Sequence, residues 1–150
     1  MVWKPHVTVA AIVEREGRFL LVEEETSTGI AFNQPAGHLE NNESLLQAVA
    51  REVREETAWG FEAESLVAVQ LWRKTPEYSS FLRFCFSGQV SDFDSSQALD
   101  EGIIRTHWLS REQIAGLNNL RSPLVLIGID EYLKGQHYPL SMLQTFLDKP

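Results

Sequence analysis

Apolar, β-branched positions crowd residues 6–13 (HVTVAAIV) and again 18–22 (RFLLV), and the pattern predicts two strands. Residues 14–17 connect them as a turn, so a hairpin is the simplest pairing. A polar loop at 26–29 gives way to a further strand at 30–34, which Pro35 and Gly37 bring to an end. The period then changes. In the run 37–59, GHLENNESLLQAVAREVREETAW, the residues Leu45, Leu46, Val49, Ala50 and Val53 recur at helical spacing and gather on one arc. Asn41 or Asn42 is the expected N-cap, which puts Glu43 in the first turn.

Two longer strands are predicted at 62–74 and 80–90, with Thr75, Pro76 and Glu77 between them suggesting an antiparallel pair. In the second, Leu82, Phe84 and Phe86 share one face, while Phe81, Arg83 and Cys85 share the other. Residues 91–101 are acidic and turn-rich, a loop that either covers a site or is merely solvated. A strand at 103–109 follows, then a short helix whose capping box is Ser110 with Gln113. A later, largely buried helix opens with Ser122 as N-cap and Pro123 at its first position and closes at Gly135. The tail, 138–147, carries Tyr138, Leu140, Met142, Leu143, Phe146 and Leu147, so it packs on this domain or contacts a second subunit. Monomer and homodimer are both compatible with it. With no repeat, linker or break in composition, the 150 residues predict one domain, 1–150, with a sheet covered by helices.

Composition narrows the class. A hydrophobic fraction of 43% and a charged fraction of 23%, without a long apolar run, argue against disorder and against membrane spanning. The N-terminus lacks the charged start and apolar core of a signal peptide, and the single cysteine, Cys85, has no disulfide partner and no zinc-ligand spacing. Both features predict a cytoplasmic protein. A formal net charge of -8 argues against nucleic acid and against anionic membranes as partners. An acidic chain that handles phosphorylated compounds needs a local positive charge, and a bound divalent cation is the simplest supply.

The helix offers a place for one. Glu52, Glu55 and Glu56 stand at i, i+3 and i+4, within an arc of roughly 100°. Such carboxylates repel and raise one another's pKa unless something positive sits among them. An acidic helix face is ordinarily just a solvated one. This one comes with Gly37, Glu43 and Arg51 in a fixed register: glycine, five residues, glutamate, seven residues, then Arg-Glu-apolar-x-Glu-Glu.

That register resembles the signature of the Nudix hydrolases, with one departure at Ala58, where the family usually has glycine. An alanine in the left-handed conformation costs about 1 kcal/mol, so the helix is expected to run on until Gly60 closes it. Beyond the signature, PHVTVA, NQPAGHLE, FLRF and NLRSPLV resemble the NudJ-type phosphatase subgroup. The resemblance implies an α+β fold, an α/β/α sandwich with a mixed β-sheet and a loop-helix-loop signature. It implies magnesium as cofactor, with manganese as its substitute, held by Glu52, Glu55 and Glu56 and by the Gly37 carbonyl. The reaction it implies is hydrolysis of phosphoanhydrides in nucleoside tri- and diphosphates or in hydroxymethylpyrimidine and thiamine pyrophosphates. Glu43 and Arg51 are assigned to holding loop and helix together. Candidate substrate contacts are Arg83 for a phosphate, Trp72 or Phe81 for stacking on a ring, and Glu101. For the general base, Glu55 or Glu56 and an acid at 100–101 all stand open. Nucleotide sugars and dinucleoside polyphosphates are rival substrates. A Nudix-fold module that senses its ligand without cleaving it is the rival class, although such modules often lose signature glutamates and this chain keeps all of them.

Overall fold

The two faces of strand β1 (His6–Ile12) set the layout, and the computed structural model describes them within residues 1–135 and 137–147. Val9 and Ala11 point to one side of β1, Ala10 and Ile12 to the other, and all four are buried. This explains why the first segment is a continuous apolar run: a strand covered on both faces has no solvated side to make polar.

The central sheet runs β5 (Ala36–His38), β1, β7 (Phe81–Ser91), β6 (Gly60–Trp72). It is mixed, since β1 pairs with β7 in parallel and with β5 antiparallel, while β6 and β7 form the expected antiparallel pair. A second, antiparallel sheet is built on β3 (Arg18–Thr26), which carries β2 (Glu14–Arg15), β4 (Gly29–Asn33) and β8 (Ile103–Ser110). The β2–β3 turn uses Glu16 and Gly17, both at positive φ (50° and 77°), the backbone of a tight two-residue hairpin.

Helix α1 (Leu45–Thr57) lays Ala48, Val49 and Val53 on Val9, Ala11, Leu20 and Phe86. On the other side α2 (Arg111–Ala115) supplies Ile114 and α3 (Leu124–Leu133) supplies Val125 and Ile129, against Ala10, Ile12, Leu21 and Cys85. Helices therefore cover both faces of the strands, the α/β/α arrangement that the resemblance implies. The tail packs back on the same chain: Tyr138 exchanges backbone hydrogen bonds with Leu66 (2.8 and 2.9 Å), and Leu140 and Leu143 lie against the α1-side core.

Strand ends shift by up to a few residues, and three helix boundaries differ from the sequence expectation. The N-cap of α1 is Ser44, whose hydroxyl accepts from the Gln47 backbone N–H at 3.1 Å while the Gln47 side chain accepts from the Ser44 N–H at 2.8 Å. Asn42 is instead a turn residue at φ 65°, and Glu43 precedes the helix. At the other end α1 stops at Thr57, and Ala58 takes the left-handed conformation itself (φ 64°, ψ 11°) rather than passing the stop to Gly60. The expected start of α3 shifts by one residue, although the Ser122 hydroxyl still accepts from the Leu124 N–H at 3.1 Å.

Candidate active site

The amphipathic character of α1 turns its acidic arc toward β5 and the loop at 92–102. Glu52 and Glu56 are buried, while Glu55 is partly open to solvent. Gly37, on β5, lies directly against Glu52: a Cβ built there would sit 2.2 Å from the Glu52 carboxylate carbon and Oε1. The missing side chain at position 37 is thus the space the carboxylate occupies. From the next strand position, the Ala36 N–H donates to Glu56 Oε1 at 2.9 Å.

Arg51 gathers the loop and the helix. Its Nε and Nη2 donate to the two oxygens of Glu43 at 3.0 and 2.7 Å, a bidentate pair. Nη2 also donates to the His38 carbonyl at 2.9 Å, and Nη1 to Glu52 Oε1 at 2.8 Å, with Glu55 further off at 3.4 Å. This bonding holds the Glu43 carboxyl below its ordinary range and raises Arg51 above its own.

The acidic loop is docked on the helix end. The last carbonyls of α1 receive donors from it: Gln97 Nε2 to Arg54 O at 2.6 Å, Asp100 N to Glu55 O at 2.9 Å and Asp94 N to Ala58 O at 3.0 Å. These bonds satisfy groups a helix C-terminus leaves bare. They also deliver a fourth acid. Oxygens of Glu52, Glu55 and Asp100 all lie within 4.8 Å of one another. Glu101, its neighbour, is exposed.

Electrostatics at the cluster follow from crowding. Burial raises the carboxyls of Glu52 and Glu55, with Asp100 adding to both. Glu56 is pushed up to about 9, first by burial and then by Glu52, Glu24 and Asp100, against the opposing hydrogen bond from Ala36. One guanidinium does not balance this many acids. Hard oxygen donors in short supply of positive charge fit a divalent cation, which would invert the local titration.

The remaining candidates fall on one side of the sheet. Arg83 is buried, its Nη2 donating to Gln34 Oε1 at 2.6 Å and Asn33 Oδ1 at 3.3 Å, and its Nε has no partner. Burial lowers its pKa. Gln34 is itself fixed, donating to the Val125 carbonyl of α3 at 2.8 Å. Trp72 and Phe81 are half-buried, with ring centroids 6.4 Å apart. Trp72 lines an open hollow of about 480 Å³ together with Lys74, Leu120, Arg121, Ser122 and Pro123. Arg121 Nη1, on the wall of this hollow, donates to Glu24 Oε1 at 2.7 Å, and Glu24 in turn adds to the rise of the Glu56 carboxyl. Sequence reasoning named Glu101 as a substrate contact and left either acid at 100–101 open as the base, whereas it is Asp100 that meets the cluster; it passed over Asn33, Gln34 and Glu24. These positions are joined by long-range hydrogen bonds, which leave no local signal.

A helix carrying Glu52, Glu55 and Glu56, locked by Arg51 to a loop ending in Gly37, within this sandwich, defines a class. The NUDIX domain profile matches residues 4–126. The chain belongs to the Nudix family, and within it to the NudJ-type phosphatases. It is 43% identical over 144 residues to Phosphatase NudJ of Escherichia coli strain K12, covering 96% of this chain and 94% of that protein. A solved NUDIX hydrolase from Nitrosomonas europaea is 47% identical with a TM-score of 0.91, covering 95% of this chain and 98% of that one. A MutT protein from Methanosarcina mazei shares the fold at 25% identity and a TM-score of 0.72, over 91% of this chain and 99% of its own. The protein is an enzyme, a Nudix hydrolase acting on small phosphate compounds. Among the described residues no helix is long and apolar enough to cross a membrane.

Proposed function

We propose that the chain is a magnesium-dependent hydrolase that releases phosphate from nucleoside tri- and diphosphates or from hydroxymethylpyrimidine and thiamine pyrophosphates. The observation that carries this reading is the convergence of Glu52, Glu55 and Asp100 within 4.8 Å, with Glu56 buried beside them. Glu52, Glu55 and Glu56 and the Gly37 carbonyl would hold the ion. Bound magnesium, or manganese in its place, supplies Lewis acidity and neutralises charge on phosphate oxygens. Arg51 and Glu43 keep helix and loop in register, so the carboxylates stay pointed at one volume. Asp100, held by its own N–H to Glu55 O, would orient the attacking water, with Glu55 as the other acceptor for its proton.

The organic part of the substrate lies in the hollow lined by Trp72. An aromatic face beside two cations, Lys74 and Arg121, suits a heterocycle that carries phosphate. Phe81 extends that aromatic wall. Arg83 acts from beneath, holding Asn33 and Gln34 at the floor of the strands. Glu101 stands at the edge of the docked loop, available to an incoming polar group. On this reading residues 1–150 work as one hydrolase domain in the cytoplasm, as monomer or homodimer.

The test is a substrate panel with magnesium, scored separately for free phosphate and pyrophosphate. It spans nucleoside tri- and diphosphates, thiamine and hydroxymethylpyrimidine pyrophosphates, a nucleotide sugar and a dinucleoside polyphosphate. Phosphate release from the first two groups is expected. Turnover confined to the last two would overturn the proposed substrate range.

A further inference from the structure

One polar pair takes no part in the proposed hydrolysis. His6 Nδ1 and His38 Nε2 lie 3.1 Å apart. The β1–β5 register sets Thr8 opposite His38, which brings the two exposed rings onto adjacent strands. Both are held. The His6 ring stacks on Phe81 with centroids 5.1 Å apart at 23°, and it meets His38 edge-on at 5.1 Å. They border an open hollow of about 450 Å³ with Glu40, Asn41 and Asn42 on its wall.

We propose that His6 and His38 form a second cation site, for a borderline transition metal of the Zn²⁺, Cu²⁺ or Ni²⁺ type, distinct from the carboxylate cluster. Tetrahedral zinc binds imidazole nitrogen at about 2.0–2.1 Å, which sets two ligating nitrogens roughly 3.3 Å apart. The spacing here is within a few tenths of an ångström of that. In the metal-free chain one nitrogen donates its proton to the other, and a cation takes the place of that shared proton. A turn of each ring brings both lone pairs onto the ion, and water completes the shell. Ligand chemistry sorts the two sites: imidazole selects Zn, Cu and Ni, and carboxylate oxygen selects Mg and Mn. The His site also reaches the catalytic loop, since His38 follows Gly37 and its carbonyl accepts from Arg51 Nη2 at 2.9 Å.

The experiment uses the untagged full chain in excess magnesium at neutral pH, without substrate, so its outcome is independent of the hydrolase reading. Zinc is titrated calorimetrically into wild type, His6→Gln, His38→Gln and Glu52→Gln, with circular dichroism confirming the fold of each. Copper bound at one equivalent is examined by electron paramagnetic resonance. Wild type and Glu52→Gln are expected to bind a single equivalent of zinc, and each histidine variant to weaken that binding by at least about ten-fold, the lower bound for loss of a supporting residue at a metal site. The copper spectrum is expected to show splitting from two nitrogens, reduced in either histidine variant. No zinc binding by wild type, undiminished binding in His6→Gln, or loss confined to Glu52→Gln would each overturn the site.

Discussion

Glu56 is the residue where structure and chemistry conflict most sharply in the metal-free chain. It is buried, accepts one hydrogen bond from Ala36, and has its carboxyl pushed up to about 9. Because the folded carboxyl binds its proton more tightly than the unfolded one, whose ordinary value is 4.5, the folded state holds more protons between those limits. Stability of the metal-free protein therefore falls as pH rises from about 5 toward 9. Glu56→Gln keeps the acceptor for Ala36 and cannot ionise, so its melting temperature in chelator is expected to stay flatter across that range. A slope equal to that of wild type would show that another group carries the dependence. The same variant is expected to lower magnesium-dependent phosphate release by on the order of 100-fold, as loss of one electrostatic stabiliser does. Equal turnover in mutant and wild type would remove Glu56 from the site.

At the scale of elements, the end of α1 balances opposing terms. The left-handed conformation costs a non-glycine residue about 1–2 kcal/mol. Glycine at position 58 would relieve that cost. It would also give up about 0.8 kcal/mol for the buried methyl and about 0.4–1 kcal/mol in unfolded-chain entropy. The terms nearly cancel, so Ala58→Gly is expected to shift stability by less than about 1 kcal/mol in denaturant melts. Ala58→Val, branched at a positive φ, is expected to destabilise by on the order of 2 kcal/mol. A stabilised valine variant would contradict the left-handed stop. This balance is also why the helix end departs from the expectation: strain alone favours Gly60, whereas the Ala58 carbonyl is held by Arg54 Nη1 from the helix itself and by Asp94 N from a loop the sequence does not place. Spacing made the helix and its acids legible. The sequence also holds the Ser44–Gln47 capping box, the same signature read correctly at Ser110 and Gln113, but the asparagines just before it drew the start upstream. Period alone identifies β6 and β7 as strands, whereas the parallel β1–β7 pairing joins residues half the chain apart.

For the whole molecule, the net charge of -8 has a visible address. Glu52, Glu55 and Asp100, with Glu56 beside them, converge from a helix and a loop, so a divalent cation bound there would tie the two elements together. Magnesium at about 100 times its dissociation constant stabilises by about 2.7 kcal/mol, which for a chain of this size is roughly 5–10 °C in melting temperature. Thermal melts with magnesium and with chelator check this. The increment is expected to grow with pH, since the cation restores the ionised carboxylates that burial disfavours. Identical melts in both conditions would argue that the acids do not bind the ion.

The contact between Gly37 and Glu52 makes two distant positions behave as one in genetic terms. Gly37→Ala pushes a methyl group into the volume of a flexible side chain's tip, so the fold is expected to survive while the carboxylate is displaced and hydrolysis is lost. Shortening the acid, Glu52→Asp, withdraws the tip by one methylene and is expected to lower activity by itself. The two changes together are expected to cost less than the product of the separate losses, a compensating epistasis read from kcat/KM across a double-mutant cycle. A strictly multiplicative outcome would mean that glycine is present for some reason other than room. Substitution at either position alone then meets a barrier that the pair does not, and variation at position 37 is conditional on the length of the acid at position 52.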